Sequence, residues 1–208
     1  MTDLEQELVN SIDSQYFFIE TMLEELAKID VYTAQHCRRV GNMTDKLCEF
    51  LGEKNNIKIT AHIASYIHDI GKVVVPKCLL TKTGKVTKEE WELIKSHTQI
   101  GSRILKSRMY HELADIVLYH HERWDGTGYY NIKGEDIPIQ SRIIAVCDSI
   151  DAMITKRAYR DPLTLQKCKY QIYINSGEMY EPRIANAALE IFDQLISVHK
   201  EQGIYMCN

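Results

Sequence analysis

Apolar residues recur at three- and four-residue intervals along most of this chain, the spacing of amphipathic helices. Over residues 3 to 28 the stripe runs Leu4, Leu8, Ile12, Phe17 or Phe18, Met22, Leu23 and Leu26, which fits one helix or two. Thr33 is read as the cap of a second helix, with Val40, Met43, Leu47 and Leu51 inward. Thr60 opens a third, through Ile63, Ala64 and Ile67 to about Ile70. Gly71 to Val86 holds a valine run, Pro76 and a Thr-Gly-Lys turn, and reads as loop. Thr87 with Glu90 three residues on has the form of a capping box. It starts a helix through Trp91, Ile94 and Ile104, and a shorter helix spans about 111 to 121. The longest non-helical stretch is Glu122 to Pro138, where Gly126, Gly128 and Gly134 mark turns around a short hairpin-like loop. Helices follow from about Ile139 to Lys156 and near Leu163 to Ile174, and Pro182 opens the last long one. Strand signals are weak throughout. The pattern predicts an all-α chain of about seven or eight helices, with an N-terminal helical extension (1–29) and one main domain (30–208).

Composition narrows the functional classes. The 208 residues, 45% hydrophobic and 26% charged, suffice for one sizeable core without disulfides. A net charge of -4 argues against a nucleic-acid coat or a basic membrane-surface protein. Neither long nucleic acid nor a membrane is therefore expected as a partner. Cys37, Cys48, Cys78, Cys147, Cys168 and Cys207 form no C-x-x-C pair and read as buried free thiols of a reducing compartment. The N-terminus is acidic and lacks the apolar core of a signal peptide, and no apolar run approaches the roughly 20 residues of a membrane span. A cytoplasmic protein is expected.

The histidines carry the chemistry. His36 shares a stripe with Val40, Met43 and Leu47; His68 lies four after Ala64; His97 lies three after Ile94. His120 and His121 end a helix whose inner positions are Leu113, Ala114 and Val117. All five thus point where core side chains point. Asp69 follows His68, and Asp148 sits four after Ile144 with Asp151 a turn later. Buried carboxylates are costly unless paired or metal-bound. One metal cluster would satisfy all these groups together, and imidazole with carboxylate suits transition metals. His62, His111 and His199 are read as structural, as are Asp125 and Asp151.

At this point the sequence resembles a known family. His68-Asp69-Ile70-Gly71-Lys72 resembles the HD superfamily signature, and HHERWDGTGYY at His120 to Tyr130 is similar to the HHE-x-x-DGxGYP signature of its HD-GYP group. Further matching segments run from Asp30 to Val40, Lys82 to Trp91, His97 to Gly101, Ile137 to Pro138 and Ile143 to Arg160. The resemblance implies a helical cyclic di-GMP phosphodiesterase with two divalent metal ions, iron or manganese. The implied metal ligands are His36, His68, Asp69, His97, His120, His121 and Asp148, with Asp69 bridging. Asp69 and Lys72 would be catalytic, and Lys72, Arg157 and Arg160 would meet substrate phosphate. Tyr129 and Tyr130 would offer stacking surfaces, as would Trp124, and Gly126 and Gly128 would let the backbone approach substrate. Family members pair with diguanylate cyclase and other signalling domains. The stripe of residues 1–29 fits either a cover for the core or a homodimer contact.

Three positions depart from the family pattern. Tyr130 replaces the proline of the GYP motif, which puts loop stiffness and substrate preference in question. Tyr32 stands where members that hold a third metal have glutamate, so two metals are expected. Glu181-Pro182 stands for Asp-Pro. Two other readings compete: an HD-type phosphohydrolase acting on another cyclic dinucleotide or nucleotide, and a non-catalytic module that binds a cyclic nucleotide or a partner.

Overall fold

The computed structural model describes residues 3–156, 161–197 and 199, without the side chains of 3–13 and Gln15. Arg157, Arg160 and Cys207 lie outside the described residues, as do the side chains of Leu4, Leu8 and Ile12. Ten α-helices and no strand occur among the described residues, in agreement with the all-α reading.

Helix α1 (Asp3–Ile29) is continuous. It buries Ile19, Met22, Leu23 and Leu26 in one apolar cluster with α2 (Val31–Phe50) and α3 (Asn55–Ile67), and Phe18 rather than Phe17 turns inward. The cap of α2 is Asp30, not Thr33: its carboxylate accepts from the Tyr32 N–H at 3.2 Å and from the Thr33 hydroxyl at 2.6 Å. A charged acceptor satisfies the free N–H groups and meets the positive helix end, so it prevails over threonine. Helix α3 likewise starts before Thr60, whose hydroxyl donates back to the Asn56 carbonyl at 2.9 Å and is spent inside the helix.

Helix α3 stops at Ile67, and Ile70–Val74 tightens into a 3-10 turn. A single helical turn, α4 (Lys77–Leu80), interrupts the expected loop. Helix α5 (Lys88–Ser107) starts with the expected capping box, Thr87 and Glu90 each accepting the other's N–H at 3.2 and 2.8 Å. Helix α6 (His111–Leu118) ends before His120 and His121, which lie in the turn beyond. No hairpin forms between 122 and 138. Instead the buried Glu122 carboxylate accepts from the N–H groups of Tyr130 (2.7 Å) and Ile132 (2.9 Å), a side-chain device that leaves no strand pattern in the sequence. Helices α7 (Ile139–Ile154), α8 (Leu165–Ile174), α9 (Pro182–Glu190) and α10 (Phe192–Leu195) complete the bundle; the expected last helix breaks at Ile191. Cys37, Cys48, Cys147 and Cys168 are buried and outside any disulfide, but Cys78 is exposed. No described helix is long and apolar enough to cross a membrane.

The 3-10 turn lies directly against α5 at Gly71. A Cβ on Gly71 would run into the His97 carbonyl oxygen and lie 2.6 Å from the Gly101 nitrogen. Gly71→Ala should therefore destabilise the metal-free chain by about 1–3 kcal/mol through overpacking. Gly84→Ala, with nothing within 4 Å of the added carbon, should shift stability by less than about 0.5 kcal/mol. Urea unfolding of the two variants checks the contrast.

Candidate metal centre

Element ends converge on one spot. His36 comes from the second turn of α2, and His68 and Asp69 from the turn after α3. His97 comes from the middle of α5, His120 and His121 from the turn after α6, and Asp148 from α7. The first four and His120 are at most 2% exposed. The side chains of His121 and Asp148 keep 28% and 16% exposure and open toward solvent.

The seven side chains fall into two groups bridged by carboxylates. His36, His68 and Asp69 form one group; His97, His120 and His121 form the other; within each, the donor atoms lie within 4.8 Å of one another. Asp69 stands between them. Its Oδ2 is 3.6 Å from His68 Nε2 and 3.9 Å from His36 Nε2, and its Oδ1 is 3.3 Å from His97 Nε2. Asp148 spans the same gap, with Oδ1 3.0 Å from His36 Nε2 and Oδ2 4.0 Å from His121 Nδ1.

The backbone settles which ring nitrogen is free. Nδ1 of His68, His97 and His120 donates to the carbonyl three residues earlier, at 2.7, 2.6 and 2.7 Å. In the neutral ring, Nε2 is then a bare lone pair. The Nε2 atoms of His97 and His120 face each other at 3.4 Å, and His68 Nε2 and Asp69 Oδ1 are buried without a hydrogen-bond partner among the described residues. Facing lone pairs repel, and an unsatisfied buried acceptor costs about 1–3 kcal/mol. A cation in each group would relieve both faults, so the cluster fits a divalent metal centre.

Electrostatics agree. Burial pushes His97 down to about 3 and His121 to about 4, and lowers His68 and His120 too, which keeps these rings neutral. His36 differs: burial lowers it, but the charges of Asp151 and Asp148 outweigh burial and hold it up at about 9. Burial would raise the Asp69 carboxyl, yet Lys72, whose Nζ is 2.5 Å from Oδ2, and the surrounding imidazoles hold it well below the usual carboxylate range.

A cavity of about 920 Å³ opens over the donors. His36, Asp69, His97, His121 and Asp148 reach it, while His68 and His120 are not among its lining residues. Four lysines line it: Lys72, Lys82, Lys85 and Lys156. Tyr129 adds an aromatic wall, its ring 4.9 Å from His121 and 6.0 Å, edge-on, from Trp91. Of the described residues expected at substrate, only Lys72 and Tyr129 line the cavity. The Tyr130 hydroxyl bonds that of Thr98 at 2.7 Å, and its ring stands edge-on to Tyr119. Gly126 (φ 84°) and Gly128 serve the loop itself; a Cβ on Gly128 would come within 2.6 Å of the Glu122 Cα. Trp124 packs against the Arg142 guanidinium instead. The Tyr32 hydroxyl bonds Thr155 Oγ1 at 3.0 Å.

Several contributors escape sequence reasoning. Lys82, Lys85 and Lys156 look like solvated surface charges, and Trp91 like a packing residue of α5. His199 is wholly buried and bonds Asp151 at 2.7 Å, although its charged neighbours point to a solvated turn. His62, half-exposed beside Asp45, and His111, at the start of α6, stand apart from the donor groups.

Comparison with known proteins follows the geometry. Residues 20–184 match the family model described as HD domain. A cyclic di-GMP phosphodiesterase of Thermotoga maritima is 38% identical over 177 residues, covering 83% of this chain and 48% of that protein. The 3'3'-cGAMP-specific phosphodiesterase 2 of Vibrio cholerae is 35% identical over 170 residues, covering 80% of this chain and 33% of that one. The chain thus spans at most about half the length of these curated relatives. The fold also matches Bd1817, a HDG"Y"P protein from Bdellovibrio bacteriovorus, at a TM-score of 0.66 and 13% identity, over 87% of this chain and 62% of that one. The chain belongs to the HD domain family.

Proposed function

We propose that this chain hydrolyses the phosphodiester bonds of a cyclic dinucleotide, cyclic di-GMP first, with two divalent transition-metal ions, iron or manganese. One observation carries the reading: two groups of inward-facing imidazoles, bridged by Asp69, sit at the floor of a lysine-lined cavity. His36, His68 and Asp148 would hold one ion and His97, His120 and His121 the other, with Asp69 shared. Bound there, such a pair supplies Lewis acidity and a water that ionises near neutral pH.

The chain's own residues do the rest. Lys72, at the cavity edge beside Asp69, is placed to neutralise charge growing on a phosphoryl oxygen. Lys82, Lys85 and Lys156 give a cavity of cationic character in a chain of net charge -4, which suits a doubly anionic ligand. Arg157 and Arg160 follow Lys156 in the chain and belong to the same reading. Tyr129 and Trp91 offer faces for base stacking, worth about 1–3 kcal/mol per base. The relatives named for cyclic di-GMP and for 3'3'-cGAMP support the cyclic dinucleotide class. Residues 30–208 are read as the catalytic unit, covered by the helix of 1–29. The buried thiols suit a cytoplasmic setting, and a second copy or a diguanylate cyclase is the proposed regulatory partner.

Protein loaded anaerobically with iron or manganese should convert cyclic di-GMP to linear or mononucleotide product, read by chromatography. Asp69→Asn should abolish turnover, and Lys72→Ala should lower kcat by about 10²–10³-fold. Trp91→Ala should raise KM by about tenfold. Faster turnover of 3'3'-cGAMP would reassign the substrate within the class. Turnover of mononucleotides alone, or tight binding without turnover, would overturn the proposal.

Metal binding should depend on pH through His36. Its folded value of about 9 lies above the ordinary 6.5. In the metal-free chain its stabilising contribution is therefore full below about 6.5 and lost as pH rises through about 9. A metal ion must displace that proton, so affinity at one of the two sites should rise up to about tenfold per pH unit from 7 to 9, then level off. Manganese titration calorimetry across that range checks the slope.

A further inference from the structure

We infer that His199 is a positioning residue of the metal centre, acting on His36 through Asp151. Asp151 lies on α7 one turn beyond Asp148, and its side chain is fully buried. A carboxylate has two oxygens and about four acceptor directions. Here four donor atoms fill them. Oδ2 accepts from His36 Nδ1 at 2.6 Å and from an Arg39 terminal nitrogen at 3.1 Å. Oδ1 accepts from Arg39 Nε at 2.6 Å and from His199 Nε2 at 2.7 Å.

The arrangement ties His199 to the metal site. The bond from His36 Nδ1 to Asp151 fixes the ring so that Nε2 faces Asp148 and Asp69, where it can serve as a ligand once its proton is displaced. Asp151 can hold that ring only if its own plane is fixed. Arg39 grips one edge of the carboxylate, and His199 takes the remaining direction on Oδ1. His199 serves this bond while its Nδ1, buried, has no partner among the described residues. A residue kept only for packing would not need two nitrogens in a dry site.

The effect is one-sided. His97 and His120 are braced by the carbonyls of Ile94 and Val117, with no link to Asp151. His199 therefore governs the His36 site and leaves the other site alone. This inference rests on the two-metal reading above, and the test separates them. Wild-type full-length chain, His199→Leu and His199→Gln are titrated with Mn²⁺, and metal-free thermal unfolding is recorded for each. Leucine fills the space without a donor; glutamine returns an N–H of similar reach. His199→Leu should weaken one of two Mn²⁺ steps by about 10–100-fold and leave the other within about twofold. His199→Gln should restore most of the loss. Should the leucine variant fail to fold, glutamine is compared with His199→Asn, whose shorter amide falls short of Asp151 and should show the same one-step loss. Unchanged steps in the leucine or asparagine variant, or equal loss of both steps, overturn the role of His199 while leaving the two-metal reading standing. A wild-type chain that binds no Mn²⁺ overturns both.

Discussion

A carboxylate buried among imidazoles is the constraint on which this structure turns. Asp69 has no water to solvate it, and the fold must supply positive charge to both its oxygens. That need explains why the elements stop where they do. Helices α3 and α6 end just before His68-Asp69 and His120-His121, so freed backbone carbonyls can accept Nδ1–H and aim Nε2 inward. Gly71 lets the following turn lie directly against α5, which seats Asp69 within reach of His97. A helix that continued through either point would carry its donors around the helix axis and out of register.

The charges explain how the site stays intact without metal. Three carboxylates, Asp69, Asp148 and Asp151, are matched by Lys72, Arg39 and a protonated His36. Two divalent cations replacing one proton would turn that balance to about three positive charges, with the lysines of the cavity wall adding more. An anionic ligand is then the natural complement. The same count shows what Lys72 does for the fold: it is the ammonium that Asp69 holds.

The sequence showed the donors better than their setting. His36, His68 and His97 fall on apolar helical stripes, and that register with Asp69 and Asp148 is readable because packing periodicity is local. The Thr87–Glu90 capping box is legible for the same reason. What stayed hidden depends on contacts between distant residues. Thr33 and Thr60 carry good cap chemistry, but Asp30 and the run from Asn55 compete more strongly. His199 reads as a surface residue until the break at Ile191 turns the chain back to Asp151, 48 residues away in sequence. The lysines at 82, 85 and 156 acquire meaning only when two distant segments meet at one cavity.

Tyr130 shows how a loop can be held in place without a proline. Proline stiffens a turn by fixing φ and giving up its N–H. Tyr130 keeps its N–H and gives it to Glu122 at 2.7 Å, while its hydroxyl bonds Thr98, the residue after His97. The loop is thereby fastened at one end to the turn that carries His120 and His121 and at the other to the helix that carries His97. Rigidity that proline places in the backbone is placed here in two hydrogen bonds that join elements of the same donor group. The aromatic ring is consequently committed to the scaffold, and the aromatic wall of the cavity beside the donors is formed by Tyr129 and Trp91.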